Sequence, residues 1–169
     1  KFLLVAADNP CKCGYLTDPE RACARVPHCG EDYLGRISGP LMDRFDLRVD
    51  VPPVAFTDLG LPASGDGSAT VAARVATARQ VQTARFADLE GVGVNADAQG
   101  DVLEEITRPD AEAQQLLARV AEKFHLSARG YHRILRVART IADLDGADSL
   151  LKRHIAEAVS FRLASPVDA

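Results

Sequence analysis

The chain has 169 residues, enough for one domain or two small ones, and a chain of this length buries ~70% of its unfolded surface. Hydrophobic residues make up 47% and charged residues 26%, the balance of an ordinary globular fold, and with no Trp and few aromatics the core must be aliphatic. A net charge of -4 argues against a nucleic-acid module that works through bulk positive charge, and no stretch approaches the ~20 apolar residues of a membrane span.

The chain opens on an apolar run, Phe2 to Ala7, without alternation, which predicts a strand covered on both faces, as in an α/β sheet. The run is too short for the core of a secretory signal, and Asp8-Asn9-Pro10 follows it directly. The absent initiator Met and the start in mid-strand suggest a piece of a longer chain. A polar, cysteine-bearing loop comes next, then Asp32 to Gly39, expected as loop with at most a short helix. Phe45 to Val51 alternates apolar and polar residues and predicts a second strand, ended by Pro52-Pro53 because proline has no N–H to give to a ladder.

Beyond residue 54 the pattern turns helical. Residues 62–67 are rich in breakers, and Ser68 opens a long helix to about Phe86 with Val71, Val75 and Ala78 on one face. Gly91 to Asp97 reads as a loop. Pro109 and Asp110 start a helix with a stripe of Leu117, Val120, Ala121 and Phe124, and Ser127 caps another that runs to about Asp143. Ser149 or Asp148 opens the last, to about Leu163. The expected architecture is an α/β portion over 1–53, a linker over 54–67 and an all-α domain over 68–169.

Four residue patterns carry candidate chemistry. All four cysteines fall in one segment, Cys11, Cys13, Cys23 and Cys29, with His28 beside the last. Thiolate and imidazole suit tetrahedral Zn²⁺, although Cys-x-Cys is tighter than the usual Cys-x₂-Cys knuckle; free loop thiols and disulfides are the alternatives. Asn9 follows the first expected strand, where an α/β sheet binds ligands and an Asn can orient a water or phosphate oxygen; Asn-Pro is equally a turn pair. Val5 to Asn9 also looks like a Walker B strand, but that motif wants Asp-Glu where this chain has Asp8-Asn9. Arg44, just before the second expected strand, can reach across an interface toward phosphoryl charge, or pair with Asp43 or Asp46. Arg129, Arg133, Arg136 and Arg139 recur at helical spacing, a basic stripe for phosphate or a solvated face. No Gly is followed by Lys, so the chain contains no phosphate-binding Gly-Lys-Ser/Thr loop and no complete catalytic set.

Three blocks point further: Phe2 to Gly14 with Asn9-Pro-Cys-Lys-Cys-Gly14, Arg36 to Leu47 with Ile37-Ser-Gly-Pro-Leu-Met-Asp-Arg44, and Leu126 to Leu144 with Ser127-Ala-Arg-Gly-Tyr-His132. In this order and over nearly the whole chain they resemble the magnesium-chelatase-like YifB/ComM family of AAA+ ATPases. The resemblance implies the C-terminal part of an AAA+ core, an α/β remnant with parallel strands and a Cys-rich insertion, followed by an all-α helical lid. It implies a cytoplasmic ATPase that forms hexameric rings and uses ATP with Mg²⁺; the structural Zn²⁺ site on Cys11, Cys13, Cys23 and Cys29 is read from the clustering of the residues themselves. Position by position, Asn9 resembles the sensor 1 residue that orients the attacking water. Arg44 resembles the arginine finger that acts on a neighbouring subunit's ATP, and Arg129 the sensor 2 arginine that touches the γ-phosphate. A second cysteine pair of the family would place a cysteine at position 25, where this chain has Arg25.

Members of the ComM type act on branched or single-stranded DNA as branch-migration helicases, which is the function the resemblance implies first. A chelatase-type ATPase that remodels a partner protein for metal insertion is the second expectation. A zinc-stapled interaction module without catalysis is the third. Because the Walker segments would lie upstream, this stretch alone is expected neither to bind ATP tightly nor to hydrolyse it.

Overall fold

The computed structural model describes residues 3–16, 18, 20–62 and 65–163. Lys1 and Phe2 of the first expected strand, Ala63 and Ser64 of the linker, and the end of the chain after Leu163 lie outside them. The described residues divide into two compact units, one running to Asp50 and the other spanning Val51–Arg162. Among them are seven α-helices and no strand, with one isolated parallel bridge between Pro109 and Leu150. Among the described residues no helix is long and apolar enough to cross a membrane.

The first unit holds two short helices, α1 (His28–Leu34) and α2 (Gly39–Met42). Ser38 caps α2 by accepting the Leu41 N–H at 3.3 Å, and Pro40 stands in the first turn, where its missing donor costs nothing. The expected α/β remnant is corrected here. Leu3, Leu4 and Val5 are 89%, 58% and 84% exposed, and Leu47, Val49 and Val51 are exposed as well. Both runs have strand composition, but a strand exists only through the ladder of a hydrogen-bonded neighbour, and among the described residues neither run has one. The buried apolar core of this unit consists of Cys11, Leu16 and Cys29, with Cys13 and Cys23 packed against it.

The second unit is helical: α3 (Ser68–Arg85), α4 (Gly100–Ile106), α5 (Ala111–Lys123), α6 (Ala128–Leu144) and α7 (Lys152–Leu163), with 3₁₀ turns at Phe56–Asp58 and Asn95–Asp97. Helix α6 is its centre and packs against α3, α4 and the Asn95–Asp97 turn. Ile134, Ala138, Ile141 and Ala142 recur at three- and four-residue steps, so one face of α6 is buried along its length. Leu103, Leu117, Leu150 and Ile155 complete the core.

Of the face expected to be apolar on α3, only Ala78 is buried. Val71 and Val75 are 39% and 45% exposed, and the inner positions of that helix are Ala78 and Gln82. Phe124, placed in the α5 stripe from its spacing, is also exposed.

Candidate functional site

The cysteine segment folds around a tight turn. Gly14, at φ +80°, adopts a left-handed conformation that L side chains rarely take, and its N–H closes the turn on the Cys11 carbonyl at 3.1 Å. This sets Cys11 Sγ and Cys13 Sγ 3.0 Å apart. Cys29 comes from the second position of α1, and the sulfurs of Cys11, Cys13 and Cys29 all lie within 4.8 Å of one another. Gly30 allows α1 to approach so closely, since a Cβ there would stand 2.8 Å from Leu16 Cδ2. Cys23 packs against the group, though it falls outside the 4.8 Å set. His28 points elsewhere: its Nδ1 meets Glu31 Oε2 at 2.9 Å, and its side chain is 75% exposed.

All four cysteines are free thiols. The hydrogen bond from Cys11 lowers the Cys13 thiol to about 6, whereas burial and the neighbouring Cys23 push Cys29 up to about 12. The two thiols thus respond oppositely, hydrogen bonding favouring the Cys13 thiolate and burial disfavouring that of Cys29. Beside them, Lys12, Arg25, Asp32, Tyr33 and Arg36 line a depression of about 150 Å³ that reaches Cys29. Arg25 occupies the position where a family cysteine was expected, and its guanidinium pairs with Asp32 on α1.

Asn9 is exposed at the entrance of the cysteine turn. Its backbone N–H donates to Asp8 Oδ1 at 2.9 Å, and the Tyr33 hydroxyl donates to the same oxygen at 3.0 Å, which ties this stretch to α1. That hydrogen bond, with the negative charge of Asp8, raises the Tyr33 pKa. Arg44 is exposed just after α2, and its N–H bonds the Leu41 carbonyl at 2.9 Å, continuing the turn that Ser38 began.

In the second unit Arg129 is exposed in the first turn of α6, two residues beyond the Ser127 cap. Ser127 Oγ accepts the Gly130 N–H at 3.0 Å. A cation is disfavoured by the dipole at a helix N-terminus, so Arg129 has no intrahelical reason to be there, whereas an anion bound at that end would meet both. Two other members of the expected basic stripe are corrected. Arg139 is 3% exposed and donates to Asp143 Oδ1 and to the carbonyls of Ala147 and Asp148 just past the helix. Arg136 Nε donates to the Ala98 carbonyl at 2.9 Å. Both arginines bind the fold together and do not form a phosphate-facing or solvated row.

The family described as "Magnesium chelatase, subunit ChlI C-terminal" matches residues 65–162, and that described as "Magnesium chelatase, subunit ChlI" matches residues 1–59. The chain belongs to the magnesium-chelatase subunit ChlI family. Within it, the chain is 36% identical over 165 residues to the protein YifB of Escherichia coli and 36% identical over 163 residues to "Competence protein ComM" of Haemophilus influenzae. A Mycobacterium tuberculosis relative is 38% identical over 165 residues. Each alignment covers 96% of this chain but 31% of the relative, so the chain spans about a third of the length of these ChlI-family proteins.

Sequence reasoning missed two features of this ChlI-family chain. One is the buried cluster of Arg85, Asn95, Arg139 and Asp143; the four-residue step from Arg139 to Asp143 was its visible sign. The other is the basic depression beside Cys29, whose members are scattered from Lys12 to Arg36 and leave no local pattern.

Proposed function

We propose that this chain is the sensing and lid portion of a hexameric AAA+ ATPase that couples ATP hydrolysis to remodelling of branched DNA. The observation that carries the proposal is the 36% identity to Competence protein ComM along 96% of the chain. The exposed positions of Asn9, Arg44 and Arg129 support it, since each is a polar head accessible to a phosphate from outside its own element.

ATP with Mg²⁺ would supply the phosphoryl group and the charge to offset it. The residues present fit the periphery of such a ligand and not its cradle, because no Gly-Lys pair exists in the chain. Asn9 holds and orients the attacking water through its side-chain amide. Arg44 reaches the site of the neighbouring subunit and stabilises charge on the transferring group. Arg129, beside the positive end of α6, binds phosphate oxygen and reports its presence to the lid. DNA contact comes from local positive charge, since the whole chain is acidic.

The test is ATP turnover by the intact protein with and without branched DNA. Stimulation by DNA, with Arg44→Ala and Arg129→Ala each reducing turnover, the former by ~10³-fold or more, is the expected result. Turnover that ignores DNA yet needs Arg44 favours remodelling of a partner protein instead. Turnover unaffected by Arg44→Ala overturns the site assignments.

A further inference from the structure

We propose that Cys11, Cys13, Cys23 and Cys29 form a structural Zn²⁺ site, with Cys23 and not His28 as the fourth ligand. A tetrahedral zinc with Zn–S bonds of about 2.3 Å requires its sulfurs to lie about 3.8 Å apart. The observed trio brackets that figure, from 3.0 Å between Cys11 and Cys13 to a limit of 4.8 Å across the set. Three sulfurs are thus already gathered at ligand spacing, and Cys23, the one remaining cysteine of the chain, packs against the same cluster. A disulfide between Cys11 and Cys13 would need their sulfurs about 2.05 Å apart, and these thiols are free. His28 is committed to Glu31 on the outer side of α1.

Two independent features of the first unit point the same way. Its buried apolar core consists of Cys11, Leu16 and Cys29 among the described residues, far too little to hold a unit of this size unless something staples it. A bound metal joins the residue 11–13 turn, the residue 23 loop and α1 at one point. The charge also fits. Four thiolates around Zn²⁺ leave a net charge of about -2, which needs nearby cations when partly buried. Lys12 and Arg36 line the depression at Cys29, with the charge of Arg25 met by Asp32. The cluster has no open position for a substrate or water, so the site stabilises the fold and does not catalyse.

Metal analysis of the intact protein, purified without chelator, is expected to give one zinc per chain. Replacement by Co²⁺ then gives thiolate-to-cobalt charge-transfer absorbance of a four-sulfur site. Cys11→Ser and Cys29→Ser lose the metal, Cys23→Ser keeps cobalt with weaker charge transfer or loses it, and His28→Ala retains both zinc and the full four-sulfur spectrum. Should the cysteine variants fail to fold, X-ray absorption at the zinc edge of the unmodified protein decides the ligand set alone, with four sulfurs expected. Absence of stoichiometric zinc, a mass lowered by the two hydrogens of a disulfide, or a three-sulfur, one-nitrogen shell that His28→Ala abolishes would each overturn the proposal.

Discussion

Asp143 accepts hydrogen bonds from Arg85 at 2.5 and 2.8 Å, from Asn95 at 2.7 Å and from Arg139 at 3.1 Å, with its side chain fully shielded from solvent. Burial by itself would push its carboxyl upward, but the hydrogen bonds from Arg85 and Asn95 and the charge of Arg139 outweigh it and hold the carboxyl below its ordinary value. Removing the carboxylate leaves two guanidiniums facing each other, one of them only 3% exposed. Asp143→Ala is therefore expected to destabilise the helical unit by about 3–5 kcal/mol, the range for breaking a buried pair from one side, measured by chemical denaturation. The pH dependence follows from the direction of the shift. A carboxyl depressed in the folded state contributes stability that is present above the unfolded value of about 3.9 and is lost as pH falls through the folded value. The wild type should lose stability below about pH 4, and Asp143→Asn should flatten that part of the profile. A profile of unchanged steepness in Asp143→Asn would remove this residue from the acid transition.

Helix ends are the next scale, and they were largely legible. Asp110 caps α5 by accepting the Ala113 N–H at 2.7 Å, and Ser127 caps α6, as their positions before apolar-periodic segments implied. Asp110→Ala and Ser127→Ala should each lower stability by about 1 kcal/mol, read as a shift in denaturant midpoint. If Arg129 meets phosphate at the N-terminus of α6, Ser127→Ala should also weaken nucleotide binding by the intact protein more than Asp110→Ala does. The start of α7 was less legible. Its first turn begins at Lys152, because His154 Nδ1 accepts the Leu151 N–H at 3.1 Å while its Nε2 meets Asp145 at 3.2 Å. A histidine reaching back to cap its own helix has no sequence signature comparable to Ser149. Helix α4 gave no signal either, since its seven residues hold too few turns for a period to show. The strands failed for a different reason: Leu3 to Val5 and Leu47 to Val51 have the right residue types, but composition cannot report whether a neighbouring strand exists. The cysteines were read from clustering alone, and only the coordinates could turn His28 away from them.

On the scale of the whole molecule, the two units draw their stability from different chemistry. The helical unit buries Leu103, Leu117, Ile134, Leu150 and Ile155, all apolar and all from its own residues. In the first unit, sulfur makes up most of the buried cluster, with Leu16 the one aliphatic member among the described residues. Burying a few side chains contributes only about 1.5–3 kcal/mol each, which does not offset ordering several tens of residues at about 1–2 kcal/mol apiece. A zinc bound only in the folded state adds its binding free energy to folding, and withdrawing it takes that energy away. Chelation under reducing conditions should therefore raise amide exchange across residues 10–34, where the turns and α1 depend on the sulfurs. The amides of α5 and α6 should stay protected, because no ligand lies in their core. Mild acid near pH 4 separates the two effects further, since it releases metal by protonating thiolates while Asp143, held below its ordinary value, stays ionised until the pH is lower. In Asp143→Asn the helical response to acid should shrink while that of residues 10–34 persists. If chelation leaves exchange at residues 10–34 unchanged, the sulfur cluster is packing and not a staple, and this unit must gain its order from contacts outside the described residues.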